Sequence, residues 1–218
     1  MSDTQELKVS TTLEGRVLHK TAEHNLNNIL ILALHGYGES ADIMMDRLDP
    51  WIDSGFTLAC PQALHPIYLP NRKVGHSWMT SYCREEAIVE NMKYLEIVID
   101  HLRKDRSFSK LIVLGYSQGA QMAMRVVRWI TGDHLISLCG ELPPELRKAP
   151  LYGKERQPES LILARGKKDL ALSAETMAEN RQVWEEWDVS CTTLELPGAH
   201  HWQEDWTDQL SSCLPQNG

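Results

Sequence analysis

From Ile29 to Leu34 every position is aliphatic, the pattern of a strand covered on both faces. Leu111–Leu114 and Leu161–Ala164 repeat it, Phe56–Cys60 and Leu135–Cys139 are weaker versions, and Thr192–Leu196 is a last short strand. Helical patterns lie between them. From Glu85 to Arg103, Ile88, Met92, Leu95, Ile99 and Leu102 form a stripe down one helix face. From Gln118 to Ile130, Ala120, Ala123, Met124 and Val127 do the same, and Ala174 to Trp187 is a third, more polar helix. Buried strands alternating with helices predict an α/β fold, a mostly parallel central sheet with helices on both faces. Leu7 to Lys20 alternates polar and apolar residues and predicts an antiparallel edge hairpin. The polar stretch Arg147 to Ser160 reads as a surface loop, because the strand–helix rhythm resumes directly after it. No repeat or linker interrupts the chain, so residues 1–218 are expected to form a single domain.

Composition narrows the partners. With 42% hydrophobic and 24% charged residues the chain is an ordinary globular one. The net charge of −8 disfavours nucleic acid or an anionic membrane as a general partner. The aliphatic run Ile29–Leu34 is far too short to cross a bilayer, so no stable membrane insertion is expected. The opening MSDTQELKVS has neither a basic head nor an apolar stretch, so no secretory signal is visible. Cys60, Cys83, Cys139, Cys191 and Cys213 are odd in number and widely spread, which fits free thiols rather than a disulfide framework or zinc module. A reducing, cytoplasmic location is the expectation. Oligomeric state is not legible.

Chemistry concentrates at Gly115-Tyr-Ser-Gln-Gly119, directly after a buried strand and before a helix. A G-x-S-x-G in that position forms a strained turn that holds Ser117 forward as a nucleophile, with the helix N-terminus facing the developing oxyanion. Serine needs a base, and the base needs an orienting acid. On an open α/β sheet these follow later strands in the order Ser, Asp, His. Asp169 comes after the strand Leu161–Ala164, and the pair His200-His201 comes after Thr192–Leu196. The loop His35-Gly-Tyr-Gly38 ends the first buried strand, so the backbone N–H groups of Tyr37 and Gln118 are the expected oxyanion hole. His35, ahead of a glycine turn, is expected to hold that loop by hydrogen bonds.

His35 to Gly38, Gly115 to Gly119, Gly166 to Asp169 and Gly198 to His201 resemble the phospholipase/carboxylesterase family of serine hydrolases, which includes acyl-protein thioesterases. The resemblance spans roughly residues 28 to 213, and the Gln after the serine is its most specific element. It implies an α/β-hydrolase fold with no large cap domain, and cleavage of carboxylic esters, or thioesters, through an acyl-enzyme without metal or cofactor. The family's Asp after the second glycine of the first loop is Glu39 here, and Ala120 replaces a second glycine after the elbow. The family's acyl-binding loop is replaced by Ala63 to Arg84. These hydrolases often follow the histidine by one arbitrary residue and then an apolar one. That rule favours His200, two before Trp202, with His201 as the alternative.

Tyr68 and Trp78 suit either the wall of an acyl pocket or core packing. Trp202 and Trp206 fit helix packing. His200, His201, Glu204 and Asp205 lack the spaced second pair of a metal site, and His19, His24, His76, His101 and His134 form no cluster. So short a chain leaves little room for a cap, and an open site taking small or short-acyl esters is the expected small-molecule partner. Two other outcomes stay open: a ligand-binding protein that keeps the fold without turnover, and a lactone or peptide hydrolase using the same three residues.

Overall fold

The computed structural model describes residues 4–7, 9, 11–22, 28–105, 107–148 and 152–214. His24 and residues 149–151 of the polar loop lie outside the described residues. In chain order the elements are β1 (Val17–Thr21), β2 (Ile29–Leu34), α1 (Ala41–Leu48), α2 (Pro50–Asp53), β3 (Thr57–Pro61), β4 (His65–Tyr68), β5 (Val74–Ser77) and α3 (Arg84–Asp105). They continue with β6 (Lys110–Tyr116), α4 (Gln118–Trp129), β7 (His134–Leu138), a 3₁₀ turn at Pro144–Arg147, β8 (Ser160–Gly166), α5 (Ala174–Glu186), β9 (Ser190–Leu196) and α6 (Trp206–Ser211). Seven strands form one sheet in the order β1-β3-β2-β6-β7-β8-β9. Every pairing in it is parallel except β1 with β3.

The strand β2 shows why both faces carry helices. Its odd and even residues alternate sides, so Leu30, Leu32 and Leu34 enter one core and Ile29, Ile31 and Ala33 the other. The first core holds Ile88 and Met92 of α3, Met122 and Val126 of α4, and Val183 of α5. The second holds Met44 of α1, Trp51 of α2, and Trp206 and Leu210 of α6. A strand apolar at every position is what this double burial requires. The sheet is the expected α/β-hydrolase one, mostly parallel and covered on both sides.

Two expectations are corrected. The N-terminal alternation yields one edge strand, not a hairpin: β1 pairs antiparallel with β3, Val17 opposite Pro61 through Thr21 opposite Thr57. The free edge of β3 takes one strand, and the described residues before Val17 form none. The Ala63–Arg84 segment, read as a plain loop, contains the two-stranded hairpin β4–β5. Its strands are too short for periodicity to show. They are closed by the Leu69–Lys73 turn, where the Leu69 N–H donates to Lys73 O at 2.9 Å.

Candidate active site

The sheet delivers the site through the ends of its parallel strands. Ser117 follows β6 with φ of 53°, the left-handed region that a non-glycine residue rarely occupies, and its N–H donates to Leu138 O at 2.8 Å. The flanking glycines are demanded by packing. A Cβ on Gly119 would stand 2.1 Å from Leu34 O, and one on Gly115 2.3 Å from Gly119 O. Without side chains at both positions α4 lies against the end of β2, and its first turn begins beside the Ser117 hydroxyl.

Asp169 and His200 arrive from β8 and β9. Their loops are laced together: Lys167 N–H donates to Leu196 O and Lys168 N–H to Gly198 O, both at 2.8 Å. His200 Nε2 lies 2.8 Å from Ser117 Oγ, and His200 Nδ1 lies 2.8 Å from Asp169 Oδ2. The other Asp169 oxygen accepts from the N–H groups of Ala171 (2.8 Å) and Leu172 (3.0 Å). Burial by itself would raise the Asp169 pKa. The N–H groups of Leu172 and Ala171, together with His200, outweigh it and hold the carboxyl below its usual range. With Asp169 ionised, the proton of a neutral imidazole sits on Nδ1 and leaves Nε2 as the acceptor facing the serine. His201 is exposed, and its backbone carbonyl accepts from Gln203 Nε2 at 2.7 Å. The structure therefore brings Ser117, Asp169 and His200 together and leaves His201 outside.

The loop after β2 closes the other side. His35 is fully buried; its Nδ1 contacts Gly36 O at 2.8 Å, and its Nε2 accepts the Ala63 N–H at 3.1 Å. Burial pushes this imidazole down to about 4, so it stays neutral in its structural role. The backbone N–H groups of Tyr37 and Gln118 have no hydrogen-bond acceptor among the described residues. Both are left available to a ligand oxygen.

Trp78 and Tyr68 separate. Trp78 is wholly buried in the core, its Nε1 donating to His35 O at 2.8 Å, so it packs beneath the loop and lines no open wall. Tyr68 is 85% exposed at the outer end of β4, opposite Val74, away from the Ser77–Trp78 end that meets Gln118. Trp206 is buried with Nε1 donating to Pro197 O, as expected of a packing residue, and Trp202 stands edge-on to Tyr116. His200, His201, Glu204 and Asp205 do not converge. Among the described residues the cluster of metal-type ligands is instead Cys139, Asp169 and His200.

Several supports escaped the sequence. Glu39 accepts the Gly36 N–H at 2.9 Å and takes two bonds from Arg47, at 2.9 and 2.7 Å. The Arg47 guanidinium lies over the rings of Tyr116 and Trp202, and the Tyr116 hydroxyl donates to His200 O. The Gln118 side chain accepts from the Trp78 N–H at 2.9 Å and donates to Met79 O at 2.8 Å, tying the elbow to the segment after β5. Arg165 donates to the carbonyls of Leu172 (3.0 Å) and Asp169 (3.3 Å) and shapes the loop that carries the carboxylate. Glu39, as a departure from Asp, and Gln118, as the residue after the serine, were visible in the sequence but not in these side-chain roles; Arg47 lies eight residues beyond Glu39, in a helix that the pattern did not mark.

Comparison with known proteins agrees with this architecture. The family model for serine hydrolases, FSH1, matches residues 25–202. No curated protein matches the chain. Among solved structures, esterase PE8 is 18% identical with a TM-score of 0.73, over 92% of this chain and 98% of its own. SOBER1 of Arabidopsis thaliana is 19% identical with a TM-score of 0.66, over 84% and 96% respectively. A phospholipase/carboxylesterase of Dyadobacter fermentans is 15% identical with a TM-score of 0.64, over 94% and 98%. At these identities the likeness shows a shared fold.

Proposed function

We propose, given that the chain belongs to the FSH1 family of serine hydrolases, that it cleaves carboxylic esters of small or short-acyl substrates by a Ser117–His200–Asp169 triad. The observation that carries the reading is the unbroken relay from Asp169 Oδ2 through both His200 nitrogens to Ser117 Oγ, each step 2.8 Å. Ser117 Oγ attacks the acyl carbonyl as its proton passes to His200 Nε2. Asp169 holds the imidazole in the needed tautomer and stabilises the imidazolium without taking its proton. The negative oxygen of the tetrahedral intermediate accepts from the N–H groups of Tyr37 and Gln118, at the positive end of α4. His200 then protonates the departing alkoxide. A water molecule, deprotonated by the same Nε2, attacks the acyl-enzyme and releases the carboxylic acid.

A short-acyl preference rests on the small size of the insertion beside the elbow, the two-stranded hairpin β4–β5 rather than a helical cap among the described residues. No helix among the described residues is long and apolar enough to cross a membrane. A reducing, cytoplasmic compartment fits the unpaired cysteines. The test is a fluorophosphonate probe followed by p-nitrophenyl esters of graded chain length. Ser117 should carry the label, acetyl and butyryl esters should outrun long-chain ones, and Ser117→Ala should lose about 10⁴-fold or more in kcat. A Ser117→Ala protein with a tenth of the parental rate excludes the mechanism.

A further inference from the structure

Three neighbouring strand ends bring a thiol, a carboxylate and an imidazole to one place. Strands β7, β8 and β9 are adjacent and parallel, and Cys139, Asp169 and His200 each lie just beyond one of them. Cys139 is 3% exposed, and its N–H donates to Ala164 O at 2.8 Å, which pins it against the end of β8. Its Sγ, a carboxylate oxygen of Asp169 and a ring nitrogen of His200 all lie within 4.8 Å of one another. Hydrolysis uses Asp169 and His200 and leaves the thiol idle. Thiolate, imidazole and carboxylate are also the donor set of a tetrahedral zinc site. Bonds of about 2.0–2.3 Å there put ligand atoms roughly 3–4 Å apart, so Asp169 Oδ2 and His200 Nδ1, now 2.8 Å apart, open slightly as the ion takes the place of the proton between them.

We propose that Zn²⁺ binds Cys139 Sγ, Asp169 and His200 Nδ1, with water as fourth ligand, and so inhibits the hydrolase reversibly. The proposal rests on the catalytic reading of His200 and Asp169. The ring's proton moves from Nδ1 to Nε2, the Nδ1 lone pair goes to the metal, and the thiol proton is released to water. With Nε2 protonated and Asp169 held by the ion, the imidazole no longer takes the Ser117 proton. The ion is a dead-end ligand, not a catalyst. The imidazole is 30% exposed while the Asp169 side chain is fully covered, so we place the ion's approach on the His200 side.

Two measurements on the full chain test this. In the first, p-nitrophenyl acetate hydrolysis is titrated with chelator-buffered Zn²⁺, each protein scored against its own metal-free rate. The parent should lose turnover at one equivalent bound, while Cys139→Ser and Cys139→Ala should need about 10–100-fold more zinc. In the second, Cd²⁺ is added to Ser117→Ala protein and the thiolate-to-metal ultraviolet absorption is recorded, a readout that needs no turnover. The band should appear, yield to Zn²⁺, and vanish when Cys139→Ala is added. His200→Ala, a change at a partly exposed position, should raise the Cd²⁺ concentration needed by about 10–100-fold and keeps the test alive if the Cys139 variants do not fold. Equal zinc inhibition in Cys139→Ala, no Cd²⁺ band, or a band indifferent to both Cys139 and His200 overturns the proposal. A chain with no ester turnover but a Cys139-dependent band would instead refute the esterase reading alone.

Discussion

Arg47 grips Glu39 with two parallel hydrogen bonds, 2.9 and 2.7 Å long, and both side chains are about four-fifths covered. The pair joins two loops that the sequence holds far apart. Glu39 fixes the Gly36 N–H in the loop after β2, while Arg47 lies 5.2 Å from the Tyr116 ring centre and 5.0 Å from that of Trp202. Tyr116 in turn holds the His200 carbonyl. A planar guanidinium serves the carboxylate with its edge and the rings with its face, which an ammonium does not.

Arg47→Leu should therefore disturb both loops at once. The expected cost is on the order of 2 kcal/mol in stability, with kcat reduced more than KM is raised. Arg47→Lys should recover little, because it restores charge without the fork. Urea titration and initial rates on p-nitrophenyl acetate check this; a Lys variant with parental kcat would show that charge alone suffices.

The choice between adjacent histidines is decided by two alanine variants. His200→Ala should lose about 10⁴-fold or more in kcat, while His201→Ala should stay within a few-fold of the parent. The reverse ranking rejects the triad as drawn.

Gln118→Ala should release the segment after β5, stranding the buried Trp78 N–H and the Met79 carbonyl. The expected loss is about 1–3 kcal/mol in stability, with a fall in kcat/KM as the elbow loosens. Gln118→Glu should not restore it, since a carboxylate accepts from Trp78 but repels Met79 O. Thermal melts of the two variants, alongside rates, check this; a parental melting temperature for Gln118→Ala removes the anchor role.

His35 gives the fold a pH dependence. In the native state burial lowers its pKa to about 4 from 6.5, so between these values the unfolded chain binds the proton and the native one does not. Its contribution is complete above pH 6.5 and is lost as pH falls toward 4. The full difference amounts to about 3 kcal/mol. Urea midpoints should decline through that window, and the decline should be shallower in His35→Gln. Equal slopes would mean that other groups carry the effect.

The strands were legible because burial on both faces leaves a run with no polar residue, as at Ile29–Leu34 and Leu111–Leu114. Ser117 and Asp169 were legible because strand ends punctuated by glycine have few tenants, whereas His200 was set apart from His201 only by the pattern of the resemblance. What stayed hidden was lateral. Arg47, Arg165 and Asn91 are polar residues in or beside helices and strands, and nothing in a linear pattern says which carbonyl or ring each one meets. Asn91 donates to Trp78 O and Ala87 O while accepting from Leu64 N–H, three partners at three unrelated distances along the chain. Trp78 shows the opposite ambiguity. A tryptophan beside a hydrolase elbow suits wall or foundation equally until its exposure is known, and here that is nil.

The order in which the strands are used sets when the protein can act. In the proposed mechanism the nucleophile follows β6, its orienting acid follows β8, and the base follows β9, the edge strand on that side of the sheet. A ribosome therefore makes the serine long before it makes the imidazole, and a nascent chain that has folded its first strands still lacks any base. Interrupted synthesis or proteolytic loss of the β9 segment leaves a fragment with a strained serine and no means to activate it. On the proposed mechanism, turnover therefore counts only molecules whose synthesis has passed β9, since forms cut short before His200 contribute protein to a sample but no hydrolysis.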